Sequence, residues 1–262
     1  MLFRALKKFR LPSLPSLLPP SSRAIVPNSI LSNVKKNFLF PREFHNSQPL
    51  RETLFYLKTE DVDYSQSVSF KLPEQIQLIA KNTTEKISDN NITDMMISEL
   101  QGSFFIFLVQ ALKANRILEV GTFTGLSAAC FAEGLRRLGS KDDAKVVTIE
   151  YSKEYYEMAK NNINNAGYSD LVELISNADK GGYIKYYDTI LERNLLSDDG
   201  IIIADNVKKL EAEGKLDLLP EEFRDRCIIS MSRFNEHVKN DPRTTQVLLP
   251  VFDGLSFMRK NI

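Results

Sequence analysis

From residue 74 onward, apolar positions recur at two alternating spacings, one helical and one extended. Helix signals run through 74–87. Ser98-x-x-Gln101 is a capping box, and it opens a helix whose apolar positions are Phe104, Phe105, Leu108, Val109 and Leu112. Arg116 to Val120 reads as a short strand, followed by the turn Gly121-Thr122-Phe123-Thr124-Gly125. Ser127 is placed to cap the next helix, where Ala128, Phe131, Ala132, Leu135 and Leu138 return at helical spacing. Lys145 to Glu150 is a second strand. A helix over 153–166 keeps Tyr156, Ala159, Ile163 and Ala166 on one face and stops at Gly167. Leu171 to Ile175 is a strand, 182–196 a helix, and Gly200 to Ala204 a buried strand. Phe223, Cys227, Met231, Phe234 and Val238 mark a last helix ending at Asp241-Pro242. Gln246 to Val251 and Leu255 to Arg259 flank Asp253-Gly254, a hairpin signal. Strand–helix alternation of this kind predicts an α/β fold: a Rossmann-like, mostly parallel, doubly wound sheet with an antiparallel C-terminal hairpin.

Composition changes the picture at one end only. The chain has 262 residues and a formal net charge of zero, with 34 basic and 34 acidic residues. Residues 1–51, however, hold nine of the basic residues and one acid, Glu43, together with seven of the eleven prolines. That acid-poor pattern is the signature of a mitochondrial presequence, and Arg42-Glu43-Phe44-His45-Asn46-Ser47 matches the R-x-F-x-x-S pattern near which presequences are trimmed. A disordered basic tail without an address is the alternative. Either way, residues 1–51 are set apart from a folded domain at 52–262, removal of 1–44 is expected to leave the fold intact, and the mitochondrial matrix is the expected location. No apolar run reaches the ~18–20 residues of a membrane span, and nucleic acid is not an expected partner. Cys130 and Cys227 form no CxxC and read as buried thiols. With His45 and His237 the only histidines, a Ser-His-Asp hydrolase or a His-rich metal site is disfavoured.

Three features carry candidate chemistry. The Gly121–Gly125 loop follows a strand and opens a helix, where glycines permit close backbone approach to a ligand. A plain tight turn would look the same. No Gly-Lys-Ser/Thr follows and no G-x-G-x-x-G is present, which disfavours a nucleotide P-loop or a nicotinamide dehydrogenase. Glu150 ends the second strand, where an acid can accept two hydrogen bonds from a ribose diol or can simply be an exposed strand-end carboxylate. Asp205-Asn206 ends the buried strand 201–204. Two adjacent oxygen donors there suit Mg²⁺, and they also suit a turn.

Five segments together are similar to the metal-dependent, caffeoyl-CoA/catechol-type O-methyltransferases that use S-adenosylmethionine. They are M-M-I-S-E-L-Q-G at 95–102, I-L-E-V-G-T-F-T-G-L-S at 117–127, N-A-D-K-G-G-Y at 177–183, G-I-I-I-A-D-N-V at 200–207 and F-N-E-H-V-K-N-D-P-R at 234–243. V-L-L-P-V-F-D-G-L-S at 247–256 resembles the family's closing hairpin, and the likeness covers roughly 72–260 in order. The resemblance implies cofactor roles for Met95 (a pocket wall), Glu119 and Gly121 (the amino-acid part), Ser127, Glu150 (the ribose) and Asp179. It implies metal ligation, most simply of Mg²⁺, by Asn177, Asp205 and Asn206, and assistance by Lys180 in deprotonating a hydroxylated, catechol-like acceptor. It also allows a homodimer.

Two departures from the family pattern stand out. Asn177 occupies the place of an aspartate ligand. In addition, V-E-L-I runs straight into S-N-A-D-K, where the family has a helix and a further strand. The shortened strand 171–177 is expected at the inner position beside 201–204, which would bring Asn177 and Lys180 to Asp205-Asn206 and leave the sheet one strand short at its edge. The cost would be burial of Glu173. An outer position, beyond 145–150, would favour the alternative: a degenerate, non-enzymatic methyltransferase-like binding or interaction protein.

Overall fold

The computed structural model describes residues 3–7, 59–93, 95–139, 143–176, 182–205 and 221–261. In chain order the elements are β1 (Phe3–Lys7), α1 (Thr59–Val68), α2 (Glu74–Lys86), α3 (Asn90–Thr93), α4 (Glu99–Ala111), β2 (Arg116–Val120), α5 (Leu126–Arg137), β3 (Lys145–Glu150) and α6 (Lys153–Asn165). They continue with β4 (Val172–Ser176), α7 (Tyr183–Glu192), β5 (Ile201–Asp205), α8 (Glu221–Lys239), β6 (Thr244–Leu249) and β7 (Leu255–Lys260). Met1–Phe9 and Thr59–Ile262 form one compact unit.

Among the described residues, seven strands make one sheet in the order β4-β3-β2-β1-β5-β7-β6. β2, β3 and β4 pair in parallel, and β7 pairs antiparallel with both β5 and β6. β1 is antiparallel to both of its neighbours, β2 and β5. Because β1 reverses direction twice, β2 to β5 all point the same way and present their carboxyl ends on one edge.

Alternation along the strands sends side chains to two helical layers. On one face Ile117, Val146, Ile203 and Leu255 pack with Ile76, Phe105, Phe131 and Ile163 of α2, α4, α5 and α6. On the other, Val120, Ile202, Ala204 and Met258 pack with Tyr183, Tyr187, Ile190, Phe234 and Val238 of α7 and α8. This is the doubly wound α/β architecture that the strand–helix alternation predicts, with the closing hairpin at β6–β7. Cys130 is buried in the first layer, as expected of a small apolar side chain.

The structure corrects three expectations. Strand 171–177 does not take the inner position. β4 lies outside β3, with Val146 opposite Val172 and Glu150 opposite Ser176. The short β3–α6–β4 connection sets the neighbour, as compact crossovers do, and at the edge Glu173 stays exposed instead of being buried without a partner. Second, the N-terminal 51 residues are not wholly separate from the fold, because Phe3–Lys7 fills the place beside β2 and β5. Among the described residues, the strands after residue 58 number six, and the seventh comes from the N-terminus. Third, Ser127 does not cap α5: Gly125, at φ 93°, is the N-cap, and Ser127 sits buried inside the first turn. The capping box at Ser98 is half realised. The Ser98 hydroxyl accepts from the Gln101 N–H at 3.2 Å, but the Gln101 side chain reaches elsewhere.

The α4–α5 contact is the tightest part of the first layer. A Cβ on Gly134 would lie 2.7 Å from Val109 Cβ and 3.2 Å from the Ile106 carbonyl oxygen. Gly134→Ala is therefore expected to cost about 1–3 kcal/mol through overpacking, lowering Tm by roughly 2–10 °C for a domain of this size. A melting temperature equal to the parent's would mean that the helices part without cost.

Candidate active site at the carboxyl edge of the sheet

The loop between β2 and α5 turns through the left-handed region. Gly121, Phe123 and Gly125 all have positive φ, at 87°, 53° and 93°. A β-carbon at Gly125 would also come within 3.3 Å of Ala159 Cα, so the glycine lets α6 close against the loop. Neighbouring elements hold this conformation in place. The Thr83 hydroxyl of α2 donates to Thr124 Oγ1 at 2.8 Å, and the Asn162 amide of α6 donates to the Thr124 carbonyl at 2.9 Å. The Gly121 N–H donates to the Ile149 carbonyl at 2.8 Å.

Glu150 ties the loop to the end of β3. One carboxylate oxygen accepts the Phe123 N–H at 2.9 Å and the other accepts the Ser152 N–H at 2.8 Å. The side chain is thus a buried, oriented carboxylate rather than an exposed strand end. Each oxygen keeps a second lone pair, so the group can still accept from a diol. Glu119, fully buried one strand away, accepts from the Thr148 hydroxyl at 2.7 Å. Thr122 Oγ1 is buried in the loop with no hydrogen-bond partner among the described residues. A buried hydroxyl left this way is a place where a bound polar group would be accommodated.

On the other side of β1, Asp205 closes β5. It is buried at 3% exposure, and its carboxylate accepts from the Gln101 side-chain amide at 2.7 Å. Its backbone carbonyl accepts from the Tyr183 hydroxyl at 2.6 Å. α4 and α7 therefore grip the same residue from opposite faces of the sheet. Gln101, Tyr183, Thr83 and Asn162 were not predicted as site residues from the sequence. Only Gln101 carried a signal, and the capping box explained that signal away.

Of the predicted site residues, Glu119, Gly121, Ser127 and Glu150 lie in or against the loop, while Asp205 ends β5 as expected. Met95 stands in the turn after α3 at 49% exposure. Asn177, Asp179, Lys180 and Asn206 lie outside the described residues.

The family model described as O-methyltransferase matches residues 66–177 and 174–261 of this chain, in two segments that overlap across the end of β4. The chain belongs to the O-methyltransferase family. It is 30% identical over 221 residues to O-methyltransferase ankF of Aspergillus thermomutatus, covering 75% of this chain and 90% of that protein. It is 29% identical over 223 residues to the probable caffeoyl-CoA O-methyltransferase 2 of Dictyostelium discoideum, covering 76% and 89%. In three dimensions it is similar to the SAH-bound Podospora anserina methyltransferase PaMTH1, with a TM-score of 0.67, 29% identity, and coverage of 83% of this chain and 99% of that one. Membership accounts for the position of the loop, Glu150 and Asp205 on one edge of a Rossmann-like sheet.

This O-methyltransferase family member has a second acidic cluster, away from that edge. Asp188, His237 and Asp241 bring ligand atoms within 4.8 Å of one another. Arg243 already occupies their centre, with its Nη2 2.6 Å from Asp241 and also bonded to Asp188, and its Nε 2.9 Å from Asp241. His237 Nε2 lies 3.1 Å from Asp188. The guanidinium supplies the positive charge that a metal would otherwise bring, so the cluster locks α7 and α8 to the segment before β6 and is no metal site. The Arg243 hydrogen bond holds the Asp241 carboxyl down at about 2. A carboxyl depressed on folding stabilises the protein above its unfolded value and loses that contribution as pH falls through the folded one. Arg243→Leu is therefore expected to lower Tm by several degrees at pH 7 and by much less near pH 2. Equal losses in melting scans at the two pH values would show that the ion pair contributes nothing.

Proposed function

We propose that this protein binds S-adenosylmethionine at the β2–α5 loop and transfers its methyl group to a hydroxyl of a small, catechol-like acceptor, with a divalent cation, Mg²⁺ most simply, at Asp205. The observation that carries the reading is the Glu150 carboxylate, held by two backbone N–H groups beside a loop with three left-handed residues. In this reading Glu150 accepts the ribose hydroxyls, and Gly121 and Glu119 border the amino-acid end of the cofactor. The Thr122 hydroxyl gains a polar partner there. The SAH-bound relative supports it, since SAH is what S-adenosylmethionine becomes after losing its methyl group.

The bound cofactor supplies an electrophilic methyl on a sulfonium sulfur, so the chain's share of the catalysis is chiefly positioning for in-line attack. A bound cation would lower the pKa of an acceptor hydroxyl. Asp205 is its ligand among the described residues, aimed by the neutral Gln101 amide, which orients the carboxylate without neutralising it. Asn177 and Asn206 as further ligands, Lys180 as the proton acceptor, and Met95, Ser127 and Asp179 as cofactor contacts rest on the family resemblance.

A second reading has an observation of its own. Ser176, the residue before Asn177, lies opposite Glu150 on the outermost strand. It is four strand spacings from β5, roughly 19 Å. A segment that leaves the sheet so far from Asp205 favours a protein that binds the cofactor without transferring its methyl group.

Calorimetry with S-adenosylmethionine and a labelled-methyl assay with Mg²⁺ and a catechol panel separate the two. Binding with transfer supports the enzyme; binding with no transfer to any acceptor supports the second reading; no binding sinks both. Glu150→Ala is expected to weaken cofactor binding at least tenfold. Asp205→Ala is expected to abolish Mg²⁺-dependent turnover while changing cofactor affinity less than about threefold, a split of tenfold-scale effects that corresponds to ~1.4 kcal/mol or more. The basic N-terminal segment is proposed to address the chain to mitochondria. A fluorescent fusion of the full chain should then localise there, and a cytosolic signal would remove that proposal.

A further inference from the structure

β2 and β5 carry the two halves of the candidate site, yet they share no ladder. Gly121 follows the last residue of one, and Asp205 ends the other. Between them lies one strand's width, filled by Phe3–Lys7. Its register pairs Phe3 to Lys7 with Val120 to Arg116 on one side, and Phe3 to Leu6 with Ala204 to Ile201 on the other. We propose that the slot between β2 and β5 is a strand-binding site, that its ligand is the extended N-terminal segment of this same chain, and that the loop and Asp205 are held in one sheet only while that segment is in place.

Three observations carry this inference. The slot is bordered by strands that carry core side chains: with β1 in place, Ile202, Ile203 and Ala204 are 0% exposed and Ile117 is 2% exposed. Backbone groups facing an empty slot at that depth would be unpaired, at the cost that any buried donor or acceptor carries. The rest of the chain, moreover, supplies no strand for the slot among the described residues. β4 is committed to the outer edge, and the next strand, β5, is the slot's far wall. The two family matches overlap at 174–177, across the end of β4, where the family resemblance implies a further strand. Finally, the antiparallel direction suits an N-terminal donor. A parallel strand would need a crossover from β4 of a dozen residues or more. An N-terminal strand is joined to α1 by about fifty residues, residues 8–58, so reach sets no limit.

A consequence concerns the tail. Arg42 to Ser47 lies between β1 and α1 in the chain. Cleavage there would sever the donor strand from the domain it completes, and the slot would then hold the strand only as a non-covalent peptide. The N-terminal segment would then act as a structural ligand as well as an address.

Hydrogen exchange read by mass spectrometry on the intact chain tests the proposal without reference to activity. Amides of 116–120 and 201–205 should exchange slowly, as in interior strands. Ala5→Pro in the full chain removes an N–H from the middle of β1, and proline is not tolerated in a strand bonded on both sides. It should speed exchange in both segments at least tenfold and lower Tm, while Ala24→Pro in the tail should do neither. For the chain lacking residues 1–9, a synthetic peptide of residues 1–9 should restore slow exchange, and the same peptide carrying Ala5→Pro should not. If Ala5→Pro fails to fold, the peptide titration and the intact-chain exchange still decide. Fast exchange at 116–120 and 201–205 in the intact chain, or unchanged exchange and Tm on deleting residues 1–9, would overturn the proposal.

Discussion

The two segments of the candidate site end strands that do not touch. β2 delivers the glycine loop and β5 delivers Asp205, and the backbone of β1 joins them by pairing with both. Strand spacing is nearly invariant at ~4.8 Å, so one inserted strand sets the distance between loop and acid at about two spacings. Helix α4 braces the β5 side of that interval from one face. Gln101 reaches Asp205, and Phe104 packs near Phe252 and Phe257 at the hairpin end. Geometry at the carboxyl edge is thus a property of the joined sheet rather than of either half.

Within that frame, two acidic settings are held in different ways. Asp188 and Asp241 are compensated by the Arg243 guanidinium, which matches their charge and uses its fork of donors. That arrangement is complete and belongs to stability. Glu150 is instead met by two backbone N–H groups, and Asp205 accepts from the Gln101 side-chain amide. Neutral donors orient a carboxylate without cancelling its charge, which suits groups that are to meet a ligand.

The position of β4 follows from a competition between two local rules. Short connections favour neighbours on both sides of the strand: through α6 back to β3, and through α7 on to β5. The second connection is the longer one, running from Ser176 to Ile201, and it can cross the sheet. The first cannot, because α6 ends at Asn165 and β4 begins at Val172. Glu173 adds to the same side of the balance, since only an edge strand leaves it in water. The strand is therefore outermost, and the segment that follows it starts far from Asp205.

Much of this was legible in the sequence, because it is encoded locally. Apolar periodicity located β2, β3, β5, α6 and the closing hairpin to within a residue or two, and the motifs around Gly121, Glu150 and Asp205 placed those residues on one edge of a Rossmann-like sheet. Each depends on the spacing of neighbours along the chain, and family resemblance reinforced it. The partners that hold the site were not legible: Thr83 and Asn162 lie about forty residues from the Thr124 they grip, and Gln101 lies 104 residues from Asp205. Nor was strand order, because a sequence states which segments are strands but not which edges they meet. Five residues of an acid-poor, basic N-terminus carried no core-forming period, and only the unfilled slot between β2 and β5 made a strand of them.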